Sequence, residues 1–465
     1  MDAYLLIDFG STYTKLTAVD IQNEEILATA KDITTIETNI MDGFDKAYNK
    51  LIEDLDGKEV NFVRKLACSS AAGGLKMVAI GLVPDLTAEA AKRAALGAGA
   101  RIIKTYSYEL TKNEINEIMN SNLDIILLAG GTNGGNKSCI LHNAKMLAEH
   151  NVELPIVVAG NKVTYDDIKE IFEEKNMVFS LTENVMPALN ELNVDPAREE
   201  IRKIFMKNII EAKGLGKAEE MVSGILMPTP AAVLKAAEYL SKGSDEEDGL
   251  GDLIVVDIGG ATTDIHSLAE GEPTKGGVTV KGLEEPFAKR TVEGDLGMRY
   301  SAVSLLEAAG TRKLRKYLGD TERKIDISGN CQLRIDNIKM VPKTADEIKF
   351  DEALGKVATE LALTRHVGYV EVAYTPMGAM YTQIGKDLMD TKYVIGTGGI
   401  IVHSEKPDEI LKAGEFNKEE PIYLKPKKPE YLVDSTYILS AMGLLAQELP
   451  DMAVRIMKKY LVKFN

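Results

Sequence analysis

The feature that most constrains the fold of this chain is a motif that occurs twice, far apart in the sequence. Residues 5–19 read LLIDFGSTYTKLTAV, and residues 254–268 read IVVDIGGATTDIHSL. In each copy an apolar run ends in an aspartate, a glycine turn follows, and apolar and polar residues then alternate again, which is the pattern of strand, turn and strand. Two copies of one such pattern in a single chain predict two related α/β units.

The segment that follows each turn argues against two common nucleotide-binding folds. After Gly10, residues such as Leu16 and Ala18 keep a period of two, which is typical of a strand. P-loop and dinucleotide-binding motifs require that the glycine turn open a helix. Both of those folds are therefore disfavoured.

A second glycine-rich motif supports the repeat. The strand predicted over residues 124–129 ends in the glycine-rich stretch 130–135, and the strand predicted over 393–395 ends in the stretch 396–399. We interpret these two stretches as copies of each other. One glycine-rich strand end is often only a tight turn that needs a positive φ. Four motifs in a repeated order indicate two units, each with a hairpin turn and a glycine-rich strand end.

The repeated turns carry the residue types that bind phosphate and a hydrated divalent cation. Glycine lets the backbone approach phosphate oxygens and direct N–H groups at them, and nearby hydroxyl groups add donors. Asp8 and Asp257, which end the two strands, are expected to face each other across a cleft and to hold Mg²⁺ partly through water. Lys15 adds a positive charge for a phosphate. The alternative for each aspartate is a carboxylate that only caps its turn.

Three carboxylates are the candidate catalytic residues: Asp8, Asp257 and Glu293. Hydrolysis of a bound nucleotide needs oriented phosphates and a positioned water. Glu293 and Asp295 follow a predicted strand and precede a helix predicted to be capped near Gly297, so either could polarise that water. The alternative is a carboxylate at a helix start, where the helix dipole favours it.

A larger set of residues is predicted to bind the nucleotide cofactor. They are Gly10, Ser11, Thr12, Lys15, Gly259, Gly260, Thr262, Thr263, Gly396, Gly398 and Gly399.

The length of the chain predicts more than one domain, because 465 residues exceed the size at which a single core usually splits. We predict an N-terminal lobe over residues 1–250 with a helical segment near 185–242. A C-terminal lobe is predicted over 251–434. Connecting helices over 435–465 are expected to dock back toward the first lobe.

The charge of the chain narrows the range of partners. A formal net charge of −16, with no long run of Lys or Arg, disfavours nucleic acid and anionic membranes. No leader pattern and no run of 18 apolar residues occurs, so we expect a soluble, cytoplasmic protein. The cysteines are widely spaced and are interpreted as inert core thiols. They are Cys68, Cys139 and Cys331.

Taken together, these motifs resemble the superfamily of actin, sugar kinases and heat-shock chaperones. Asp8 to Lys15 resembles the first phosphate motif, residues 257–264 the second, and residues 396–399 the adenosine motif. The stretches 227–240 and 437–445 are similar to the two connecting helices of that superfamily. The resemblance implies an α/β fold with two related actin-like (RNase H-like) lobes and the nucleotide cleft between them.

Two further stretches resemble one family within that superfamily, the accessory proteins of glutamate (methylaspartate) mutase. They are RTVEGDLGMRYSA over residues 290–302 and VIGTGGIIVHS over residues 394–404. That family comprises ATP-dependent reactivating chaperones of adenosylcobalamin-dependent mutases and aminomutases. The resemblance implies ATP and Mg²⁺ as cofactors and mutase subunits as partners. It also implies the exchange of damaged cobalamin for intact cofactor, powered by lobe motion.

Three other functions compete with this expectation. A small-molecule kinase would use the same cleft, but no stretch stands out as a sugar or acid pocket. An actin-like filament ATPase would need self-complementary surfaces or a membrane-binding tail, and the basic, amphipathic run 451–464 is a candidate for the latter. We favour a docked terminal helix for this run, because its apolar stripe is no wider than a core-facing helix needs. An iron–sulfur activator of dehydratases is disfavoured by the isolated cysteines.

Overall fold

The computed structural model describes residues 1–10, 12–35, 40–70, 75–212, 225–319, 324–376 and 378–464. These residues form two compact units. The first contains Met1–Ala232 and Gly282–Glu284, and the second contains Val233–Lys281 and Glu285–Asn465. The lobe boundaries proposed from the sequence stay a prediction.

The first unit contains two five-stranded sheets. Its strands are β1 (Asp2–Phe9), β2 (Tyr13–Asp20), β3 (Glu25–Ile33), β4 (Asn61–Ser69), β5 (Lys76–Gly81), β6 (Arg101–Ser107), β7 (Ile125–Leu128), β8 (Ile156–Val158), β9 (Phe179–Leu181) and β10 (Ile225–Pro228). One sheet has the order β10-β4-β1-β2-β3. In it, β2 is antiparallel to both β1 and β3, whereas β4 is parallel to both β1 and β10.

The second sheet of this unit is entirely parallel, with the order β6-β5-β7-β8-β9. Counted from β5, this is the 2-1-3-4-5 order of a doubly wound sheet. Its central strands are buried runs such as IILL and IVV, as strands covered on both faces require. The helices of the unit are α1 (Ile40–Asp54), α2 (Glu89–Gly97), α3 (Lys112–Asn120), α4 (Ser138–Glu149), α5 (Tyr165–Glu174), α6 (Asp195–Ala212) and α7 (Thr229–Lys242), the last of which ends in the second unit. A π-helix covers Pro84–Ala88 and a 3-10 helix covers Lys162–Thr164.

The second unit contains a six-stranded and a three-stranded sheet. Its strands are β11 (Leu253–Ile258), β12 (Thr263–Leu268), β13 (Val278–Lys281), β14 (Ala288–Glu293), β15 (Tyr369–Thr375), β16 (Gly378–Ile384), β17 (Tyr393–Thr397), β18 (Glu430–Val433) and β19 (Val462–Phe464). Its helices are α8 (Ala302–Ala309), α9 (Thr311–Leu318), α10 (Ile327–Asp336), α11 (Ala345–His366), α12 (Gly399–His403), α13 (Pro407–Lys412), α14 (Leu439–Leu445) and α15 (Pro450–Tyr460). The large sheet has the order β14-β12-β11-β17-β18-β19, and the small one has the order β13-β16-β15.

The mixed five-stranded sheet of the first unit, which contains β1, and the six-stranded sheet of the second unit share one topology. In the second unit β12 is antiparallel to both β11 and β14, and β17 is parallel to both β11 and β18. These relations repeat those of β1, β2, β3, β4 and β10 strand for strand. The predicted fold class, α/β with two related actin-like lobes, is therefore confirmed.

One part of the predicted repeat is wrong. The strand before the stretch 130–135 is β7, which lies in the parallel sheet. The topological counterpart of β17 is β4, because each is the parallel neighbour of the strand that ends in the repeated aspartate. The error has a physical cause: a short buried run ending in glycine looks the same whichever sheet it joins.

The helical segment predicted near 185–242 is also only partly correct. Helices α6 and α7 occupy most of its described length, but β10 lies between them as an edge strand paired with β4. The three apolar residues before Pro228 fit a strand or a helix equally well, and the partner strand decides between them. The edge position tolerates the proline. Residues 213–224 of this segment lie outside the described residues.

The C-terminal run is a docked helix followed by a strand. Helix α15 buries residues such as Met452, Ile456 and Met457, which confirms the predicted core-facing stripe. The helix ends at Tyr460, however, and Val462–Phe464 pairs with β18. None of the described helices is both long and apolar enough to cross a bilayer.

Candidate functional site

The two repeated turns have the same hydrogen-bond geometry. The Gly10 N–H donates to the Tyr13 carbonyl at 3.1 Å, and the Gly259 N–H donates to the Thr262 carbonyl at 2.9 Å. A Cβ atom on Gly10 would lie 2.5 Å from the Tyr13 carbonyl oxygen, so only glycine fits that turn. Ser11, a predicted phosphate ligand, lies outside the described residues, and Thr12 is half-buried beside it.

Asp8 ends β1 as a buried carboxylate with several close partners. The Thr229 hydroxyl donates a 2.6 Å hydrogen bond to Asp8 Oδ1. The Lys15 ammonium lies 3.9 Å from Asp8 Oδ2, on the residue directly opposite in β2. The Cys68 thiol lies 3.6 Å from Asp8 Oδ1. Residues from β1, β2, β4 and the start of α7 therefore meet at this strand end.

Thr229 is a site residue that the sequence analysis missed. It directly follows β10, whose pairing with β4 brings its hydroxyl to Asp8. A strand assignment for the short apolar run 225–228 would have placed Thr229 at the same sheet edge as Asp8, since parallel strands end together. The surrounding pattern predicts a helical segment instead, so it does not indicate this contact.

All three cysteines are buried, as predicted for core thiols. Cys68 differs from Cys139 and Cys331 because it contacts the site. Burial and the neighbouring Asp8 carboxylate raise the pKa of the Cys68 thiol well above its usual value. A neutral thiol can donate a weak hydrogen bond to Asp8, which is the role the geometry gives it.

Asp257 lies in β11, between the antiparallel strand β12 and the parallel strand β17. Asp257 lies opposite Asp264 in β12 and opposite Thr397 in β17. The Asp264 carboxylate is held by the buried Arg290 guanidinium, with N–O distances of 3.0 and 2.7 Å, and by the Thr262 hydroxyl at 3.0 Å. Asp257 therefore stands beside a carboxylate whose charge is already balanced.

The stretch 298–300 holds the second turn in place. The backbone N–H groups of Arg299 and Tyr300 donate to the Gly260 carbonyl at 2.8 and 2.9 Å, and that of Met298 donates to the Gly259 carbonyl at 3.1 Å. The Arg299 side chain is anchored in turn by Asp351, at 2.7 Å. The turn is thus fixed by backbone contacts from a loop that the sequence resemblance had singled out.

Thr263, a predicted cofactor ligand, is fully buried in β12. Its hydroxyl donates to the Leu296 carbonyl at 2.7 Å. This bond ties β12 to the loop before α8. Phosphate binding by Thr263 remains a prediction.

Glu293 and Asp295 share one arginine. The Arg365 guanidinium donates to Glu293 Oε2 at 2.6 Å and to both Asp295 oxygens at 2.7 and 2.9 Å. These bonds raise the pKa of Arg365 further. Glu293 lies opposite Thr263, at the end of the sheet where the second turn begins. The alternative of a helix-start carboxylate is wrong, since the next helix begins only at Ala302.

The predicted adenosine motif lies at the end of β17, in the same unit as the second turn. Gly396 packs in the core, where a Cβ atom would lie 2.8 Å from Ile401. Gly398 has φ +96° and passes so close to β11 that a Cβ atom would lie 2.3 Å from the Ile258 carbonyl oxygen. Gly399 is open by comparison, with only the Tyr437 hydroxyl at 3.8 Å.

Asp434, which directly follows β18, is a further residue missed by the sequence analysis. It accepts hydrogen bonds from the Ile438 and Leu439 N–H groups at 2.9 and 3.1 Å, and from the Thr397 hydroxyl at 3.3 Å. It therefore fixes the start of α14 relative to the predicted adenosine motif. The signal available was an aspartate between an apolar strand and an apolar helix, which is a typical capping position.

The structure brings the predicted residues together in two groups. Asp8, Gly10 and Lys15 meet in the first unit. Asp257, the second turn, Glu293 and the motif 396–399 meet in the second. Among the residues that the structure describes, no group of three or more His, Cys, Asp or Glu side chains could hold a metal ion. A magnesium ion here would depend on nucleotide phosphates and water for most of its ligands.

The chain matches known proteins over nearly its full length. The family model described as MutL protein matches residues 4–461. The Protein MutL of Clostridium tetanomorphum is 72% identical over 463 residues, with 100% of both chains covered.

Similarity to solved structures is much weaker. Nucleotide-free acetone carboxylase has a TM-score of 0.39 at 15% identity, with 96% of this chain and 70% of that chain covered. The activator of 2-hydroxyisocaproyl-CoA dehydratase from Clostridium difficile, with bound ADPNP, has a TM-score of 0.34 at 10% identity, with 100% and 99% covered. Because these TM-scores are low, the fold assignment rests on the strand order instead. The sequence matches, by contrast, span the whole chain, which therefore belongs to the MutL protein family.

Proposed function

We propose that this chain is an ATP-dependent reactivating chaperone of an adenosylcobalamin-dependent mutase, as the sequence resemblance implies. The observation that carries the ATP-binding part is the duplicated turn, in which one hydrogen-bond pattern follows a strand-end aspartate in both units. A single turn of this kind has many uses. Two copies on matching strands support a nucleotide-binding role for these turns.

The residues of the site fit a magnesium nucleotide. Lys15 offers the positive charge for a phosphate, and Asp257 offers a carboxylate for a hydrated cation. Bound Mg²⁺ would neutralise the phosphate oxygens during hydrolysis. Glu293, which Arg365 holds at the edge of the sheet, would orient the attacking water. The backbone of Gly399 is open enough for an adenosine ring to approach.

The chaperone part of the proposal needs ATP turnover to change affinity for the mutase. A nucleotide can shift a conformational equilibrium only by its differential affinity for the two states. Such couplings are typically ~1–3 kcal/mol, which changes binding several-fold or more. We therefore propose that the ATP and ADP states of this chain bind mutase subunits with different affinity.

Reactivation of a damaged mutase tests this function directly. A glutamate mutase that has been inactivated during turnover, or loaded with cyanocobalamin, is incubated with this protein, ATP, Mg²⁺ and adenosylcobalamin. We expect mutase activity to return and cobalamin to be released. Omission of ATP should leave the mutase inactive.

The same assay separates the proposal from a small-molecule kinase. A kinase would leave a phosphorylated metabolite, whereas a reactivating chaperone leaves ADP and phosphate. If ATP binds by calorimetry but no mutase regains activity, the chaperone proposal fails and ATP binding stands. If ATP does not bind, both parts fail.

A further inference from the structure

The parallel sheet of the first unit carries a pocket that the proposed nucleotide site does not use. The pocket lies at the carboxyl ends of β7, β8 and β9 and has a volume of about 520 Å³. This is the edge where doubly wound sheets bind ligands, and the volume lies within the range of small-molecule sites. Its polar lining includes Asn133, Lys162, Tyr165, Glu183, Asn184 and Asn193.

Buried asparagines fix the glycine-rich loop that forms one side of this pocket. Asn184 donates to the Gly131 carbonyl at 2.9 Å and accepts from the Met186 N–H at 2.9 Å. Asn161 accepts from the Gly134 N–H at 3.0 Å and donates to the Gly135 carbonyl at 3.2 Å. The loop is therefore organised before any ligand binds, which lowers the entropic cost of binding.

Two residues that line the pocket, Asn133 and Lys162, offer hydrogen-bond donors. Asn133 Oδ1 accepts from the Lys162 N–H and from Asn184 Nδ2, both at 3.1 Å, so the orientation of the amide is fixed. Asn133 Nδ2 is left as a donor with no acceptor in the described part of the chain. The Lys162 ammonium likewise has no carboxylate within ion-pair distance among the described residues. A carboxylate of a ligand would satisfy both groups.

Two other residues that line the pocket, Glu183 and Asn193, offer acceptors. Glu183 Oε2 accepts from Asn193 Nδ2 at 2.9 Å, which leaves Glu183 Oε1 and Asn193 Oδ1 as acceptors. Burial and the nearby Glu183 raise the pKa of Tyr165 to about 12. Tyr165 therefore stays neutral, and its hydroxyl donates to the Thr182 carbonyl, with the Gly160 carbonyl a more distant acceptor at 3.1 Å. Glu183 is therefore the one negatively charged residue among the described residues that line the pocket.

We infer that this pocket binds a small zwitterion of the α-amino acid class, its carboxylate against Asn133 and Lys162 and its ammonium against Glu183 and Asn193. The two charged side chains balance each other in sum but form no ion pair, so each is available to a ligand charge of opposite sign. A ligand with only a negative charge would be attracted by Lys162 but repelled by Glu183. A ligand with only a positive charge would be attracted by Glu183 but repelled by Lys162. This site is independent of the proposed nucleotide site and mutase function.

Direct binding without nucleotide tests the inference. Saturation-transfer NMR is recorded for the full-length protein with each standard L-amino acid, and the best binder is titrated by calorimetry. Two analogues of that amino acid are titrated in the same way. The 2-hydroxy acid analogue lacks the ammonium group, and the α-carboxamide analogue lacks the carboxylate. We expect each analogue to bind at least about tenfold more weakly, because each loses one charge-assisted contact.

Variants assign the two charges to their side chains. Lys162→Met and Glu183→Gln should each weaken the amino acid about tenfold or more, whereas Lys175→Met, an exposed lysine at the end of α5, should leave binding unchanged. Thermal unfolding of each variant confirms that it is folded. The inference is overturned if no amino acid binds more tightly than about 10 mM, if the analogues bind equally well, or if folded Lys162→Met and Glu183→Gln bind like wild type.

Discussion

Lys15 and Asp264 occupy the same place in the two repeated hairpins, each directly opposite the aspartate that ends the first strand. Lys15 lies opposite Asp8, with its ammonium 3.9 Å from that carboxylate. Asp264 lies opposite Asp257 and is itself paired with Arg290 at 2.7 Å. The backbone of the hairpin is repeated while its charge is reversed. This difference supports the proposal that the first turn binds a phosphate and the second binds a cation.

The first prediction is that Asp257→Asn and Asp8→Asn each abolish most Mg²⁺-dependent ATP hydrolysis. Removing a fixed charge beside the reacting phosphates should lower the rate by about a hundredfold. Phosphate release at saturating ATP measures the effect. Asp390→Asn, at an exposed carboxylate of the second unit, is the matched control and should turn over normally. Normal rates in both Asp257→Asn and Asp8→Asn would remove these residues from the site.

The second prediction concerns Thr229, whose hydroxyl orients Asp8. Thr229→Val keeps the shape of the side chain but removes a hydrogen bond to a carboxylate, so ATP hydrolysis should fall about tenfold. Thr229→Ser keeps the donor and should restore most of the rate. Because Thr229 acts through Asp8, adding Thr229→Val to Asp8→Asn should cost little more. A serine variant as impaired as the valine variant would point to packing instead.

The third prediction separates two neighbouring glycines. Gly398→Ala places a Cβ atom 2.3 Å from the Ile258 carbonyl oxygen at φ +96°, so it should lower the free energy of unfolding by roughly 2 kcal/mol or more. Gly399→Ala meets only the Tyr437 hydroxyl at 3.8 Å and should keep wild-type stability. Urea unfolding without nucleotide compares them. The Gly399 variant is thus the cleaner probe of adenosine binding by calorimetry, and equal stability of the two variants would contradict the backbone geometry.

The fourth prediction tests whether Arg365 positions Glu293. Glu293→Gln should lower ATP hydrolysis by about a hundredfold if this carboxylate orients the water. Arg365→Met removes the 2.6 Å bond that holds Glu293 and should lower the rate about tenfold, with Arg365→Lys in between. Adding Arg365→Met to Glu293→Gln should cause little further loss. If Asp295→Asn proves more harmful than Glu293→Gln, Asp295 is the residue that orients the water.

The hairpins at Asp8 and Asp257 could be predicted because their signal is local. An apolar run, an aspartate and a glycine turn lie within a few residues, and the alternation after the turn identifies a strand. The repetition of this pattern then indicates the fold class, since two copies of one sequence pattern are expected to form the same kind of sheet. Backbone geometry set by neighbouring residues is the kind of structure that a sequence pattern specifies most directly.

The contacts that complete the candidate site could not be predicted because they are long-range. Thr229 reaches Asp8 across 221 positions of sequence, and Arg365 reaches Glu293 across 72. The sheet that the apolar run before Gly130 joins could not be predicted for a related reason, because the partner of a buried strand is chosen by tertiary packing. The composition of such a run does not indicate which two strands it pairs with.

The last prediction follows from two histidines buried in the second unit. Burial, then the neighbouring Arg290, lowers the pKa of His266 from 6.5 to about 3. Burial, then Lys289, lowers the pKa of His366 well below its usual value, and its ring bridges the hydroxyls of Ser267 and Thr291 at 2.7 and 2.8 Å. Both rings are therefore neutral in the folded protein at pH values where the unfolded chain already binds protons.

Stability should accordingly fall as the pH drops below 6.5, the usual histidine value, toward the folded pKa of about 3 for His266. In that window the unfolded state binds more protons, so each histidine removes up to about 1.4 kcal/mol of unfolding free energy per pH unit. His266 Nδ1 has no hydrogen-bond partner in the described part of the chain, so His266→Met leaves no polar atom unsatisfied there. Urea unfolding between about pH 6 and about pH 5 should show a slope that is smaller by about 1 kcal/mol per pH unit in His266→Met than in wild type. Equal slopes in the two proteins would mean that His266 is not held neutral by the fold.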